Sequence, residues 1–494
     1  MMKHFELSKL CTLVALLVLA SIFVTLSARS VWMDEAMLLK NIIAISNPAD
    51  FAAPLPFYDQ AEPVLASVFF KLVMTVFHYD IRPLRLSVLA VSLLLAIPVA
   101  LLFRPYRWGV FVFLLAVIGN SFSTAFHFTE LKFYFLEMSG SFMAILAIRE
   151  AEDRDDIYWT LLVAALISLL GFSTLIIAGG LLAYACWWFV SRDDGSQRLY
   201  KVGGFVVAAA CVALSYVCMK YLTTYQISNY STYASSGPAQ ALESVLHALL
   251  GAYGKVLMAV SVVSSLMLLV YPPRTFIHRV NQFFCVLVVL VLVGKVAGVY
   301  PATYPRHVIW MVPLSLVIDT FAILTFTQGM SKSLKVLGWA LLALLALQAA
   351  KAVHNNLDGD NFQYTDNNAL YQYISAMPPS EILVHPNAQP SLEYYQLLDP
   401  GLARQHFFTR LDDTTRRRDP SQEMATMAND IDQLLAQRPS DSVYFLTSHL
   451  DLQPGETGVG NLMQAALDKY RCAYTSELSV TDAELLHLNC RGPL

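Results

Sequence analysis

The sequence predicts an α-helical protein that crosses a membrane many times and ends in a small α/β domain. Composition is the first reason. Of 494 residues, 56% are hydrophobic and only 14% charged, with a mean hydropathy of +0.51, which is too apolar for a soluble chain of this length. The apolar runs are the second reason: a hydrocarbon core of about 30 Å needs roughly 20 helical residues per crossing, and about eleven such stretches precede residue 353. The third is a change of charge. Residues 1–352 carry a net +6, whereas residues 353–494 hold 9 Lys+Arg against 19 Asp+Glu, a net of −10.

The stretches fall near 10–27, 84–103, 108–126, 133–148, 157–172, 173–191, 202–222, 247–271, 281–299, 306–327 and 334–352. Cations orient them, because Lys and Arg favour cytoplasmic loops. With a cytoplasmic N-terminus, that side collects Lys3, Lys9, Arg104, Arg107, Arg149, Arg154, Arg192, Arg198, Lys201, Arg274, Arg279, Lys332 and Lys335. The outer side is poorer. Its short loops show Lys132 and Arg306, its long first loop (28–83) shows Arg29, Lys40, Lys71 and Arg82, and Arg85, Lys220 and Lys351 sit at outer span ends. An odd helix count then places the C-terminal segment outside.

The apolar run from Val64 to Phe77 is short and contains Lys71, so it reads as a helix lying on the outer surface. Counting it as a span would invert every later loop and break the charge pattern. The run from Leu10 to Leu26 is long for a signal-peptide core and reads as a retained helix, with processing at Ser27-Ala28 as the alternative.

Residues 353–494 read as a soluble domain. Glu381–Val384 and Ser442–Leu446 look like buried strands, Gln422–Leu435 and Asn461–Tyr470 like helices, and Leu411–Pro420, with Arg416-Arg417-Arg418, like a solvated loop. Cys11, Cys186, Cys211, Cys218 and Cys285 fall in apolar helices, where a thiol behaves as a small hydrophobe. Cys472 and Cys490 lie in the outer segment, and their spacing leaves a disulfide open. No zinc-ligand spacing, P-loop or dinucleotide fingerprint appears, and no nucleic-acid partner is implied.

The residues that suggest chemistry gather on the outer face from distant parts of the chain. Asp34 and Glu35 follow the first span, Gln60-Ala61-Glu62-Pro63 opens the interfacial helix, His127 to Tyr134 links the third and fourth spans, and Tyr300 to His307 enters the tenth. Two adjacent carboxylates at a lipid boundary cost desolvation energy, so Asp34-Glu35 points to function more than to packing. The packing alternative is an N-cap at Asp34 and a first-turn dipole residue or supporting partner at Glu35.

In this order and sidedness the chain resembles the GT-C superfamily of polyprenyl-phosphate-sugar-dependent glycosyltransferases, closest to the protein O-mannosyltransferase and lipid A aminoarabinose transferase branch. The resemblance rests on Trp32-Met33-Asp34-Glu35, Glu62-Pro63 before an apolar stretch, Arg82-Pro83-Leu84-Arg85-Leu86, Glu130-Leu131-Lys132-Phe133-Tyr134, Arg306-His307 before Pro313, and an outer C-terminal domain. It implies a GT-C catalytic domain over 1–352 and a periplasmic α/β domain over 353–494 in a bacterial inner membrane. The implied reaction is inverting transfer of a sugar from a polyprenyl phosphate to an acceptor hydroxyl on an envelope lipid, glycan or protein.

Such a hydroxyl is a weak nucleophile at neutral pH, so a carboxylate must take its proton. Asp34 is the expected base. Glu35 and Glu130 are the other expected catalytic carboxylates, with Glu130 open also as the ion-pair partner of Lys132. The departing phosphate gains charge, so fixed cations should stabilise it. Lys132, Arg306, His307, Lys255 and Lys295 are the candidates, against helix-end snorkelling for Lys132 and an anchoring role for Arg306. Glu62, Arg85, Tyr134 and Glu137 complete the expected cavity, and Asp319 lies about 20 Å deeper by helical rise, with no role read for it.

No cofactor is expected. Adjacent Asp34-Glu35 resembles the branch without a catalytic metal, and Glu62 with nearby histidines stays open as a structural metal site. The competing class is a transporter or flippase of lipid-linked sugars, with Glu137, Lys255, Lys295 and Asp319 along a path. No internal repeat supports it, and the marked residues lie at one face. An O-antigen polymerase or ligase would place its large outer loop between later spans.

Overall fold

The computed structural model describes residues 2–58, 60–78, 80–192, 198–224, 237–271, 275–329, 331–357, 366–409, 431–436, 438–448 and 458–490. Helix α1 (Met2–Ser27) leads to a loop bearing α2 (Met33–Ala44) and α3 (Val64–Phe77). There follow α4 (Ile81–Leu101), α5 (Gly109–Gly119), α6 (Ser121–His127), α7 (Tyr134–Arg154), α8 (Tyr158–Ile167), α9 (Thr174–Arg192), α10 (Arg198–Leu222), α11 (Pro238–Val270), α12 (Phe276–Val296), α13 (Val312–Thr327) and α14 (Lys332–Leu357).

Among the described residues, eight helical segments are long and apolar enough to cross a bilayer: α1, α4, α9 to α12, α13 with the turn before it, and α14. The protein is therefore a multi-pass membrane protein. The other three expected stretches are helical too, yet differ from plain spans. The stretch 108–126 is two helices meeting at Asn120, α8 has only ten residues, and α7 ends in a charged turn, Arg149 to Arg154. Helix α11 starts nine residues ahead of the expected 247 and breaks at Gly254, whose φ of 73° is open to glycine at little cost.

Helix α3 lies outside the bundle core as expected. It buries Ala66, Ser67, Phe70 and Met74 on one face and leaves Leu72 and Val76 exposed, an outward apolar surface suited to lipid. Lys71 donates to the carbonyls of Ile42 and Ile43, both at 3.1 Å, so its ammonium caps the C-terminal turn of α2.

The C-terminal segment holds α15 (Asn367–Ala376), α16 (Gln389–Leu398), α17 (Gly458–Lys469) and five strands: β1 (Glu381–Val384), β2 (His406–Phe408), β3 (Ser442–Ser448), β4 (Cys472–Val480) and β5 (Ala483–Cys490). The sheet order is β2-β1-β3-β5-β4, with β1 parallel to β2 and β3, and β5 antiparallel to β3 and β4. Both expected strands are present. Leu411–Pro420 lies outside the described residues, as does most of Gln422–Leu435. Cys472 and Cys490 face each other across β4 and β5 and form a disulfide.

This segment shares a hydrophobic core with the first loop. Leu38, Leu39 and Ile42 of α2 and Phe70 of α3 join one cluster with Tyr371, Leu392, Tyr395 and Leu485. The α/β unit is thereby fixed to the end of the bundle where α2 lies.

Candidate functional site

Asp34 stands in the first turn of α2, and Arg306 stands in the short turn before α13. Nη1 of Arg306 lies 3.3 Å from Oδ2 of Asp34. Both face a cavity of about 450 Å³, which is also lined by Gln60, Lys132, Tyr134, Glu137, Ser173, Lys220, Tyr300, Tyr304 and His307. Lys132 is almost fully buried and hydrogen-bonds Oε1 of Gln60. Four of the expected residues, Asp34, Lys132, Arg306 and His307, thus come together, and Tyr134 and Glu137 form the adjoining wall.

The turn that carries Arg306 is held rigidly. Trp310 donates Nε1–H to the carbonyl of His307 at 3.0 Å, and Tyr300 donates its hydroxyl to the same oxygen. Nδ1 of His307 accepts from the backbone amides of Thr303 and Tyr304, at 3.2 and 3.3 Å, so that nitrogen carries no proton and cannot donate to a phosphate. Helix α11 approaches closely at Gly251, where a Cβ would meet Pro305 at 2.4 Å. Glu137 is fixed similarly: its Oε1 accepts from the amide of Ser173 at 2.6 Å, and a Cβ on Gly171 would strike its side chain.

Glu35 corrects the expectation. Its carboxylate is fully buried between Arg85, at 2.6 Å, and Arg29, at 3.2 Å, and accepts the amide of Leu131 at 3.0 Å. Burial alone would raise its pKa, but Arg85 and then Arg29 outweigh that and hold it below the usual carboxylate range. The side chain does not reach the cavity. Arg85 is likewise no cavity cation: it spends its guanidinium on Glu35 and on the carbonyls of Arg29 and Ser30.

Other expected residues are also relocated. Glu130 pairs with Nδ1 of His127, not with Lys132. Lys295 is buried with its Nζ on Thr303 Oγ1 at 3.0 Å and acts on the turn rather than in the cavity. Lys255 is exposed, because the break at Gly254 resets the helical phase one residue before it. Asp319 accepts from Ser261 at 2.8 Å between α11 and α13.

Glu62 is 2% exposed, and among the described residues neither of its carboxylate oxygens has a hydrogen-bond partner. Burial pushes its pKa well above the usual range; Lys132 opposes this, and Glu137 and Glu130 add to it. Among the described residues no group of three or more His, Cys, Asp or Glu side chains is arranged to hold a metal ion. Sequence reasoning missed Lys220 as a lining residue, because a lysine at a span end looks like an anchor. It also passed over Ser173, a small polar residue without a distinguishing pattern.

No family model and no curated protein matches the chain. Solved structures do. ArnT from Cupriavidus metallidurans in the apo state superimposes with a TM-score of 0.54 at 12% identity, covering 97% of this chain and 97% of that one. The same protein bound to undecaprenyl phosphate gives 0.51 at 13% identity, again with 97% of each chain covered. The chain has the fold of ArnT. An ArnT-like architecture over nearly the whole length accounts for the many helices, the loop bearing α2 and α3, and the small terminal sheet as one arrangement. At this identity the likeness is one of fold, and the chemistry has to be argued from the cavity.

Proposed function

We propose that this protein is an inverting glycosyltransferase that moves a sugar from a polyprenyl-phosphate donor to an acceptor hydroxyl of an envelope lipid, glycan or protein. It acts at the outer face of the bacterial inner membrane, with the N-terminus cytoplasmic and the C-terminal domain periplasmic. The observation that carries this reading is the shared cavity of Asp34, Lys132 and Arg306, a carboxylate facing fixed cations at the end of a membrane bundle. Undecaprenyl phosphate bound to ArnT supports the donor class. The excess of cations on the opposite loops supports the sidedness.

In this scheme the donor phosphate sits on Lys132 and Arg306. Asp34 removes the acceptor proton as the acceptor oxygen bonds to the anomeric carbon, and the bond from that carbon to the phosphate oxygen breaks on the opposite side. The electron pair leaves with the phosphate, where both cations stabilise the growing charge. Neutral His307 contributes by shaping the turn. No step calls on a cofactor or a metal.

The test uses purified protein in lipid nanodiscs with polyprenyl-phosphate-linked sugars. Asp34→Asn should be made at normal level and lose sugar transfer. Normal transfer by that variant would remove Asp34 as the base. Comparing envelope glycan and glycoprotein masses with and without the gene identifies the decoration.

A further inference from the structure

Among the described residues, the cavity lining runs from Asp34 to His307 and includes none of the C-terminal segment. That segment nevertheless grips the stretch that delivers Asp34. We propose that Asn367 and Tyr395 of the outer domain are positioning residues, which set the place of the Asp34 carboxylate by holding the backbone of Val31. The proposal rests on the reading of Asp34 as the base.

Ser30 and Val31 belong to neither helix nor strand, so their backbone polar groups must find partners elsewhere. The outer domain supplies both partners of Val31 and also holds the Ser30 side chain. The amide of Val31 donates to the Tyr395 hydroxyl at 3.3 Å, and its carbonyl accepts from Nδ2 of Asn367 at 2.6 Å. Oγ of Ser30 donates to Asp366 and accepts from the amide of Asn368, both at 3.0 Å. The Tyr395 hydroxyl in turn donates to Oδ1 of Asn368. From the bundle side, Arg85 donates to the carbonyl of Ser30 at 3.1 Å.

Helix α2 begins directly after this stretch, and Trp32 at its N-cap makes no side-chain cap bond. External bonds therefore decide where its first turn starts, and Asp34 is the second residue of that turn. A second tie holds the same helix further along: Glu393 of α16 pairs with Lys40, and Tyr58 donates to it at 3.3 Å. Asn367 is fully buried and Tyr395 nearly so, which suits parts with one fixed geometry. A base displaced by about 1 Å costs on the order of 100-fold in rate, while Lys132 and Arg306, carried on other elements, keep their places for the phosphate.

The experiment compares full-length Asn367→Ala, Tyr395→Phe and Asp34→Asn with the parent in nanodiscs, measuring transfer kinetics with a polyprenyl-phosphate sugar and binding of undecaprenyl phosphate. Asn367→Ala and Tyr395→Phe should lower kcat about 10- to 100-fold, with donor KM and undecaprenyl phosphate affinity within about twofold of the parent. Equal losses in kcat and in undecaprenyl phosphate affinity mean general loosening and overturn the proposal. Unchanged kcat in both variants overturns it as well, and with Asp34→Asn inactive it does so without touching the base assignment. Full activity in Asp34→Asn overturns both together. Should Asn367→Ala fail to accumulate, Tyr395→Phe, which removes one hydroxyl, carries the same test.

Discussion

Asp34 and Arg306 stand 272 positions apart in the chain and 3.3 Å apart in the fold. The guanidinium that neutralises the proposed base is also one of the two cations assigned to the proposed donor phosphate. Arg306→Ala should therefore weaken donor use by about 10- to 100-fold, the range of one charge-assisted hydrogen bond, while the protein accumulates normally. Arg306→Lys should recover little, because a point charge cannot bridge a carboxylate and a phosphate as a planar fork does. Donor KM values read from initial rates check this. Parental KM in Arg306→Ala would leave the residue as an anchor.

The two neighbouring acids should behave oppositely when removed. Asp34 is partly exposed in the cavity, so Asp34→Asn should lose about 100- to 10,000-fold in kcat with little change in melting temperature. Glu35 is the centre of a buried triad with Arg85 and Arg29: Glu35→Gln leaves two buried guanidiniums without a counter-ion, and Arg85→Ala breaks the shorter of the two ion pairs and strips the carbonyls of Arg29 and Ser30 of their donor. The expected cost is about 3–5 kcal/mol, seen as a lower melting temperature in detergent and poor accumulation. A fully stable Arg85→Ala protein would contradict that account.

Lys132 and Lys255 make a second contrasting pair. Lys132 lies in the cavity wall, while Lys255 is exposed on the outside of α11. Lys132→Ala should raise the donor KM at least about tenfold, and Lys255→Ala should leave it at the parental value. A large effect at Lys255 would mean that the donor reaches a second surface of the protein.

These contrasts mark where the sequence stops being legible. Apolar run length and cation placement are summed properties, so they predicted the many-helix fold, the interfacial α3 and the end of the bundle at which Asp34, Lys132 and Arg306 meet. Direction about a helix axis is a different matter. Consecutive residues point about 100° apart, so Asp34 can face the cavity while Glu35 faces inward, and nothing local says which. The partners that decide it, Arg29 and Arg85, come from separate elements. Lys255 follows Gly254, where the backbone leaves helical φ and any phase counted from upstream is lost. Strand β4 was missed because its residues are mostly exposed and lack the apolar alternation that marks a half-buried strand.

Glu62 offers a test by pH. Its buried carboxyl has a folded pKa well above the usual 4.5, with burial as the largest cause. Below about pH 4.5 the group is protonated whether the chain is folded or not, and it contributes no difference. As pH rises beyond that, the unfolded chain releases the proton while the folded chain keeps it, so stability falls until the folded pKa is passed. Glu62→Gln has no such titration. Melting temperatures of the two proteins in one detergent should therefore coincide near about pH 4 and diverge with rising pH, the variant becoming the more stable. A neutral Glu62 also leaves the charge of Lys132, to which it is electrostatically coupled, available for a phosphate. Parallel melting curves across the range would mean that Glu62 is ionised in the folded protein and that part of the Lys132 charge is already spent.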